Sequence, residues 1–107
     1  MNDGRSTGHL VDFGKVNAAA LRNAEAVLRG LLPDGRREGS EWVARNPRRA
    51  DKQLGSFKAN IRTGRWGDFA TGETGGDLVS LAAFVAAVSQ REAAIRLAES
   101  LGVDPFA

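Results

Sequence analysis

The sequence predicts an α+β fold, with an N-terminal helix, a small antiparallel β-sheet and two C-terminal helices. Three observations support it: apolar residues at helical spacing before residue 32, apolar–polar alternation over residues 56–61, and two helix-capping patterns after residue 76. The 107 residues suffice for one domain with a modest core. We place that domain at residues 13–107, after a polar tail at residues 1–12 that we expect to be disordered.

The first helix is predicted over residues 17–31. Asn17 is a suitable N-cap, and Pro33 marks the end of the helix. Leu21 and Leu28 lie on one apolar face at helical spacing. The pattern is typical of a helix that covers a core on one side.

The sheet is predicted over residues 40–70. Residues 41–44 are a short strand candidate, and the alternation over residues 56–61 is typical of a half-buried strand. Gly64 allows a tight connection to a returning strand at residues 66–69. These segments together form a small antiparallel sheet.

Both C-terminal helices are predicted within residues 77–101. Asp77 is a good N-cap for the first of them. Ser89 and Glu92 have the spacing of a capping box, which predicts the start of the second. Gly102 is typical of a residue that ends a helix.

Composition excludes several classes of site. The chain has no cysteine and a single histidine, His9, so thiolate zinc sites, disulfides and cysteine nucleophiles are impossible. We therefore assign no catalytic residue, no metal ligand and no cofactor. No apolar run approaches the ~18 residues needed to span a bilayer, and the N-terminus has no apolar signal region. We expect a cytoplasmic protein that does not contact a membrane.

We interpret two motifs, a glycine-rich loop and a set of three acidic residues, as structural features and not as binding sites. The loop at residues 72–77 is rich in glycine and precedes a helix, an arrangement that can bind phosphate. Asp77 stands where a phosphate-binding loop requires lysine, so we interpret the loop as a turn with a capping residue. Asp68, Glu73 and Asp77 could in principle hold Mg²⁺. Because two of them lie in or beside this loop, we interpret all three as solvated acids.

Positive charge is concentrated in the middle of the chain. Residues 36–65 carry nine basic and three acidic side chains, a net charge of +6, whereas residues 66–107 carry a net charge of −4. Clustered cations neutralise phosphates and steer a polyanion to one surface. From this stretch we select seven candidate DNA-binding residues: Arg45, Arg48, Arg49, Lys52, Lys58, Arg62 and Arg65.

Aromatic residues are interleaved with these basic residues, as in proteins that stack single-stranded bases. Phe57 belongs to the apolar face of its strand, so we assign it to the core. We also assign Trp42, Trp66 and Phe69 to the core, because so small a domain needs their apolar area.

Residues 55–88 resemble the N-terminal zinc-ribbon domain of bacterial DnaG-type DNA primases, and more closely the zinc-less form in primase–helicase proteins of phages and integrative elements. The resemblance covers roughly two-thirds of the chain. Four segments carry it, in the order of the family's own pattern: Gly55-Ser56-Phe57, Trp66-Gly67-Asp68-Phe69-Ala70-Thr71-Gly72, Gly75-Gly76-Asp77-Leu78-Val79-Ser80-Leu81 and Ser89-Gln90-Arg91-Glu92-Ala93.

The metal-binding residues of the family are absent from this sequence. Phe69 and Gly72 stand where the family has the cysteines of a Cys-x-x-Cys knuckle, and residues 46–50 lie near the position of the other metal-binding pair. The resemblance therefore implies a degenerate zinc-ribbon-like domain without zinc.

The resemblance implies a module that engages template single-stranded DNA in a primase or replication protein of a mobile genetic element, while a separate domain synthesises the primer. Such a chain is not an enzyme by itself, and it fits a free-standing accessory protein or a fragment of a larger primase. The alternative is a protein-interaction module that docks a replicative helicase, the primase catalytic domain or a polymerase. The charged face of the last helix is then the docking surface, with Arg91, Glu92, Arg96 and Glu99.

Overall fold

The computed structural model describes residues 10–48 and 56–107, so Arg49 and Lys52 among the predicted DNA-binding residues lie outside the described part. The helices are α1 (Phe13–Arg22), α2 (Ala24–Leu31), α3 (Leu78–Ala86) and α4 (Gln90–Leu101). The strands are β1 (Arg36–Glu38), β2 (Glu41–Ala44), β3 (Phe57–Asn60), β4 (Trp66–Asp68) and β5 (Thr74–Gly75). Helices, then a sheet, then two helices follow one another, which confirms the predicted α+β class.

The five strands form one antiparallel sheet in the order β1-β2-β3-β4-β5. Trp42 lies opposite Ala59, and Ala59 lies opposite Trp66, so these three side chains share one face. The outer strands β1 and β5 extend the sheet beyond the predicted residues 40–70. Neither outer strand has an apolar–polar alternation, which is why the sequence pattern did not indicate them.

An aromatic cluster joins the sheet to the C-terminal helices. The ring of Phe57 lies 5.7 Å from that of Trp66 and 5.8 Å from that of Phe84 in α3, measured between centroids. On the same side of the sheet, the indole N–H of Trp42 donates to the Leu32 carbonyl at 3.0 Å. The predicted core positions of Phe57, Trp42 and Trp66 are therefore confirmed.

The predicted core position of Phe69 is wrong, because its side chain is 80% exposed. Side chains alternate along a strand, so the residues after Trp66 point outward, inward and outward in turn. The inward position belongs to Asp68, which is 2% exposed and accepts a hydrogen bond of 2.6 Å from the Asn46 amide. Asp68 is therefore not the solvated acid that we expected, and Phe69 is left on the outer side.

Two helices replace the single one predicted over residues 17–31. The first begins at Phe13, where the Asp12 carboxylate caps the Lys15 N–H at 3.0 Å, and the chain bends at Asn23 before α2. Asn17 lies inside α1 and is not its N-cap. Its side-chain oxygen instead accepts from the Val79 N–H at 2.9 Å, which links α1 to the start of α3.

The last residues of the predicted tail pair with the C-terminal segment. Val11 forms an antiparallel bridge with Phe106, and the Asp12 N–H donates to the Pro105 carbonyl at 2.8 Å. The domain therefore includes residues 10–12, and the rest of the predicted tail, residues 1–9, lies outside the described residues.

The C-terminal helices begin and end as the sequence predicts. The side chains of Asp77 and Ser89 accept from the N–H groups of Ser80 and Glu92 at 2.8 and 3.0 Å. Gly102 ends α4 in the left-handed conformation, with φ of 72°.

Among the described helices, none is by itself long and apolar enough to cross a bilayer, and α3 with α4 reaches that length only as a pair bent by 106°.

Candidate nucleic-acid interface

The side of β2, β3 and β4 that faces away from the aromatic cluster is here called the open face. Along each strand, the residues between the inward-pointing ones project to this face. They border a shallow groove of about 400 Å³. Its lining includes Glu41, Lys58, Asn60, Arg65, Gly67, Phe69 and Thr74.

The β3–β4 turn fixes one end of the groove. The side-chain oxygen of Asn60 accepts from the N–H groups of Arg62 and Thr63 at 2.8 and 3.0 Å, a local turn typical of asparagine. Gly64 has φ of 80°, a conformation that glycine adopts without steric cost, and its N–H donates to the Asn60 carbonyl. The turn therefore places Arg62 and Arg65 at a defined end of the hairpin.

An exposed aromatic ring lies at the other end of β4. The Lys58 ammonium lies 5.5 Å from the centroid of the Phe69 ring, within the range of a cation–π contact. Between Phe69 and Arg65, Gly67 presents no side chain to the groove. The open face thus combines two cations, a bare strand segment and an accessible ring.

One acidic side chain opposes the positive charge of the groove. The Glu41 carboxylate accepts from the Asn60 amide at 2.8 Å, across the β2–β3 pair. Lys58 and Arg65 still give the groove more positive than negative charge. Of the described residues that line the groove, Glu41 is the one whose charge would repel a phosphate.

The other predicted DNA-binding residues take different positions. Arg62 is exposed in the turn beside the groove. Arg45 forms an ion pair of 3.2 Å with Asp34 at the end of β2. Arg48 lies over the Phe84 ring, 5.1 Å from its centroid, on the side of the sheet that carries the helices. The structure therefore brings Lys58, Arg62 and Arg65 together and separates Arg48 from them.

The glycine-rich loop before α3 serves as a cap, as the sequence predicts. Two N–H groups in the first turn of α3 already have protein acceptors. Asp77 binds that of Ser80 at 2.8 Å, and Asn17 binds that of Val79 at 2.9 Å. These donors are therefore engaged within the fold, which leaves the helix end poorly suited to phosphate.

The three acids considered as a magnesium site serve separate structural roles. Asp68 is buried against Asn46, Glu73 accepts from the Thr71 hydroxyl at 3.1 Å, and Asp77 caps α3. Within residues 10–48 and 56–107, no group of three or more histidine, cysteine or acidic side chains is arranged to hold a metal ion.

Sequence reasoning missed the outward direction of Phe69 and the acidic contact in the groove. The outward direction of Phe69 could have been read from the sequence. Because side chains alternate along a strand, a buried Trp66 places residue 68 inside and Phe69 outside. The pair of Glu41 with Asn60 depends on the register between β2 and β3, which nothing in either segment alone specifies.

Comparison with known proteins adds no family to this description. No protein-family model matches the chain, and no curated protein matches it either.

Proposed function

We propose that this chain is a non-catalytic, cytoplasmic module that binds single-stranded DNA through the open face. The observation that carries the proposal is the groove in which Lys58, Arg65 and the exposed Phe69 surround the bare Gly67. Together with the resemblance to zinc-less primase domains, it favours a role in a DNA primase or replication protein of a mobile genetic element.

The chemistry of the groove suits a phosphate backbone. Ammonium and guanidinium groups neutralise phosphates and release condensed counterions, which makes the affinity depend on salt. Lys58 and Arg65 provide two such groups along neighbouring strands, and Arg62 provides a third at the turn. None of them forms part of an arrangement in which a base activates a nucleophile, so binding is the role that this geometry supports.

Fluorescence anisotropy with labelled oligonucleotides tests the proposal. The chain should bind a single strand more tightly than a duplex of the same length, with an affinity that falls steeply as salt rises. Replacing both groove cations, as Lys58→Gln with Arg65→Gln, should weaken binding more than ~tenfold at moderate salt and reduce the salt slope by about one per lost phosphate contact.

The matched control removes the same charge from the helical layer, as Arg91→Gln with Arg96→Gln in α4. This double variant should bind almost as tightly as the unmodified chain, because α4 packs against α1 and α3 and not on the open face. Equal losses in both double variants would mean that overall charge, and not the groove, determines binding. Absence of binding at low salt would refute the proposal.

A second candidate function is protein docking, and a specific groove favours it. A depression of about 370 Å³ between α2 and α4 is lined mainly by apolar residues, including Val27, Leu31, Leu97 and Leu101. An apolar helix face of a replicative helicase, a primase catalytic domain or a polymerase would fit such a groove. This groove lies beside the charged face of α4, where Arg96 and Glu92 form an ion pair of 2.8 Å.

The substitution Ala26→Glu tests docking, because Ala26 is exposed at the rim and tolerates a helix-forming residue. It should abolish capture of these replication proteins and leave DNA binding unchanged. Ala86→Glu, at an exposed position in α3, is the control. Capture that depends on DNA, or that survives Ala26→Glu, would contradict docking at this groove.

A further inference from the structure

Phe69 is a large apolar side chain whose exposure the packing of the domain does not explain. It is 80% exposed, although Trp42, Phe57 and Trp66 on the same sheet are 7% exposed or less. Exposure of an aromatic ring leaves its apolar area in contact with water and forgoes the stabilisation that burial would give. An exposed ring on a strand end can stack on a planar partner such as a nucleobase.

The backbone around Phe69 is held firmly, so the ring is presented at a defined place. The Phe69 N–H donates to the Ser56 carbonyl at 2.9 Å, which continues the pairing of β3 with β4. On the neighbouring residue, the buried Asp68 carboxylate accepts from Asn46 at 2.6 Å and from the Ala70 N–H at 2.7 Å. Side chains on a rigid strand end lose little freedom when a ligand binds.

The surroundings of the ring fit one nucleotide. Residues two apart on a strand lie about 6.6–6.8 Å apart, so Arg65 and Phe69 flank a gap over Gly67, which has no side chain of its own and is bordered by the Thr74 side chain of β5. A Cβ at Gly67 would approach the Glu73 carbonyl to 3.3 Å, so packing against β5 also favours glycine here. With Lys58 5.5 Å from the ring centroid, a base stacked on the ring would bring its phosphate near a cation.

We infer that Phe69 is a stacking platform for an unpaired nucleobase, and that it gives the groove its preference for single strands. Aromatic side chains can stack on the face of any exposed base, whereas the base faces of a duplex are covered by their neighbours. Lys58 and Arg65 bind the flanking phosphates of single-stranded and of duplex DNA alike. This inference rests on the proposed DNA binding, and it assigns strand selection to the ring and not to the charges.

Substitutions at Phe69 separate the contribution of base stacking on the ring from that of phosphate binding by Lys58 and Arg65. Phe69→Ala should weaken binding to a single strand by about fivefold to a hundredfold, the range measured for loss of one stacked base. Duplex binding and the salt slope should stay unchanged, so the preference for single strands falls. Phe69→Trp should retain or increase the affinity, whereas Phe69→Leu, apolar but without a ring, should resemble Phe69→Ala. All three should melt near the unmodified chain, because the side chain is exposed.

A fluorescent base analogue provides a direct readout of stacking. Quenching of 2-aminopurine within a bound oligonucleotide should decrease in Phe69→Ala and be restored in Phe69→Trp. If Phe69→Ala or Phe69→Leu binds single strands as tightly as the unmodified chain, the stacking inference is overturned. The proposed DNA binding then still stands on the loss caused by Lys58→Gln with Arg65→Gln. If the unmodified chain binds no oligonucleotide, the proposed function itself fails.

Discussion

The charge of the groove depends on few side chains, and Glu41 is the one that opposes an anionic ligand. Its carboxylate lies on the open face with Lys58 and Arg65 and is held by the Asn60 amide at 2.8 Å. A single substitution can therefore change the local charge without changing the fold. Glutamine keeps the size of the side chain and an oxygen that can accept from Asn60.

Glu41→Gln should tighten single-strand binding by about threefold to tenfold at low salt, because it removes a charge that repels phosphate. The gain should shrink as salt rises. Glu99→Gln in α4 makes the same charge change away from the groove and should have little effect. Anisotropy titrations of both variants measure the difference, and an equal gain in the two would place the ligand elsewhere.

The directions of the aromatic side chains were only partly predictable. The apolar alternation around Phe57 identified its core position, and the same period of two, applied from Trp66, would have placed Phe69 outside. The assignment of Phe69 to the core was wrong because the next inward position after Trp66 is occupied by Asp68. A buried aspartate has no sequence signal, since its partner Asn46 is 22 residues away in another loop.

The loops that follow β2 and β4 are joined by a hydrogen bond. Asn46 and Asp68 are 1% and 2% exposed and connect the end of β2 with the end of β4. Asn46 also accepts from the Arg48 N–H at 2.8 Å, which shapes the loop. We expect this buried polar contact to hold the two loops together.

Asn46→Ala should lower the free energy of unfolding by about 2 kcal/mol, because it removes a hydrogen bond from a buried carboxylate. For a domain of this size the melting temperature should fall by about 4–8 °C for each kcal/mol. Thr71→Ala, an exposed change in the loop after β4, should cost less than about 0.5 kcal/mol. Thermal unfolding measures both, and similar values for the two would contradict a linking role.

A chelator tests whether a bound metal contributes to the stability of the fold. With no cysteine in the chain, excess chelator should leave the melting temperature of the unmodified protein unchanged. A marked fall would show that a bound metal, and not the contact of Asn46 with Asp68, connects the loops.

The two glycines before α3 have different structural roles, and substitution separates them. A Cβ at Gly75 would overlap the Trp66 indole and the Ser80 hydroxyl, which are joined by a hydrogen bond of 2.9 Å. Gly76 has no heavy atom within 4 Å of the position of a Cβ. Gly75 is therefore required by packing, whereas Gly76 is not.

Gly75→Ala should destabilise the fold by about 1–3 kcal/mol, the usual cost of forcing an extra methyl group into a packed site. Gly76→Ala should change stability by less than about 0.5 kcal/mol. Chemical denaturation of the two variants gives the comparison. A stable Gly75→Ala variant would mean that the contact of β5 with Trp66 can open.

The helices show where local patterns suffice and where they do not. The capping residues Asp77 and Ser89 lie next to the N–H groups that they bind, so the sequence located α3 and α4 correctly. Asn17 has the properties of a cap as well, but its partner is Val79, 62 residues away. It lies inside α1 because that helix begins earlier, at Phe13, with Asp12 as its N-cap.

Over the entire chain, folding redistributes the positive charge that the sequence concentrates in residues 36–65. Lys58 and Arg65 line the groove and Arg62 is exposed in the turn beside it, whereas Arg48 lies on the helical side over Phe84. The count of charges predicted a basic surface but not which residues share it, because neighbours in sequence alternate between faces. The proposed DNA binding by the open face therefore involves a subset of the predicted residues.

Mapping amide NMR shifts on an isotope-labelled chain, as an unlabelled single-stranded oligonucleotide is added, tests this account most directly. The account predicts shifts concentrated on the β3–β4 hairpin from Lys58 to Phe69, with α2 and α4 nearly unchanged. Shifts concentrated at the groove between α2 and α4, or no shifts at low salt, would contradict DNA binding by the open face.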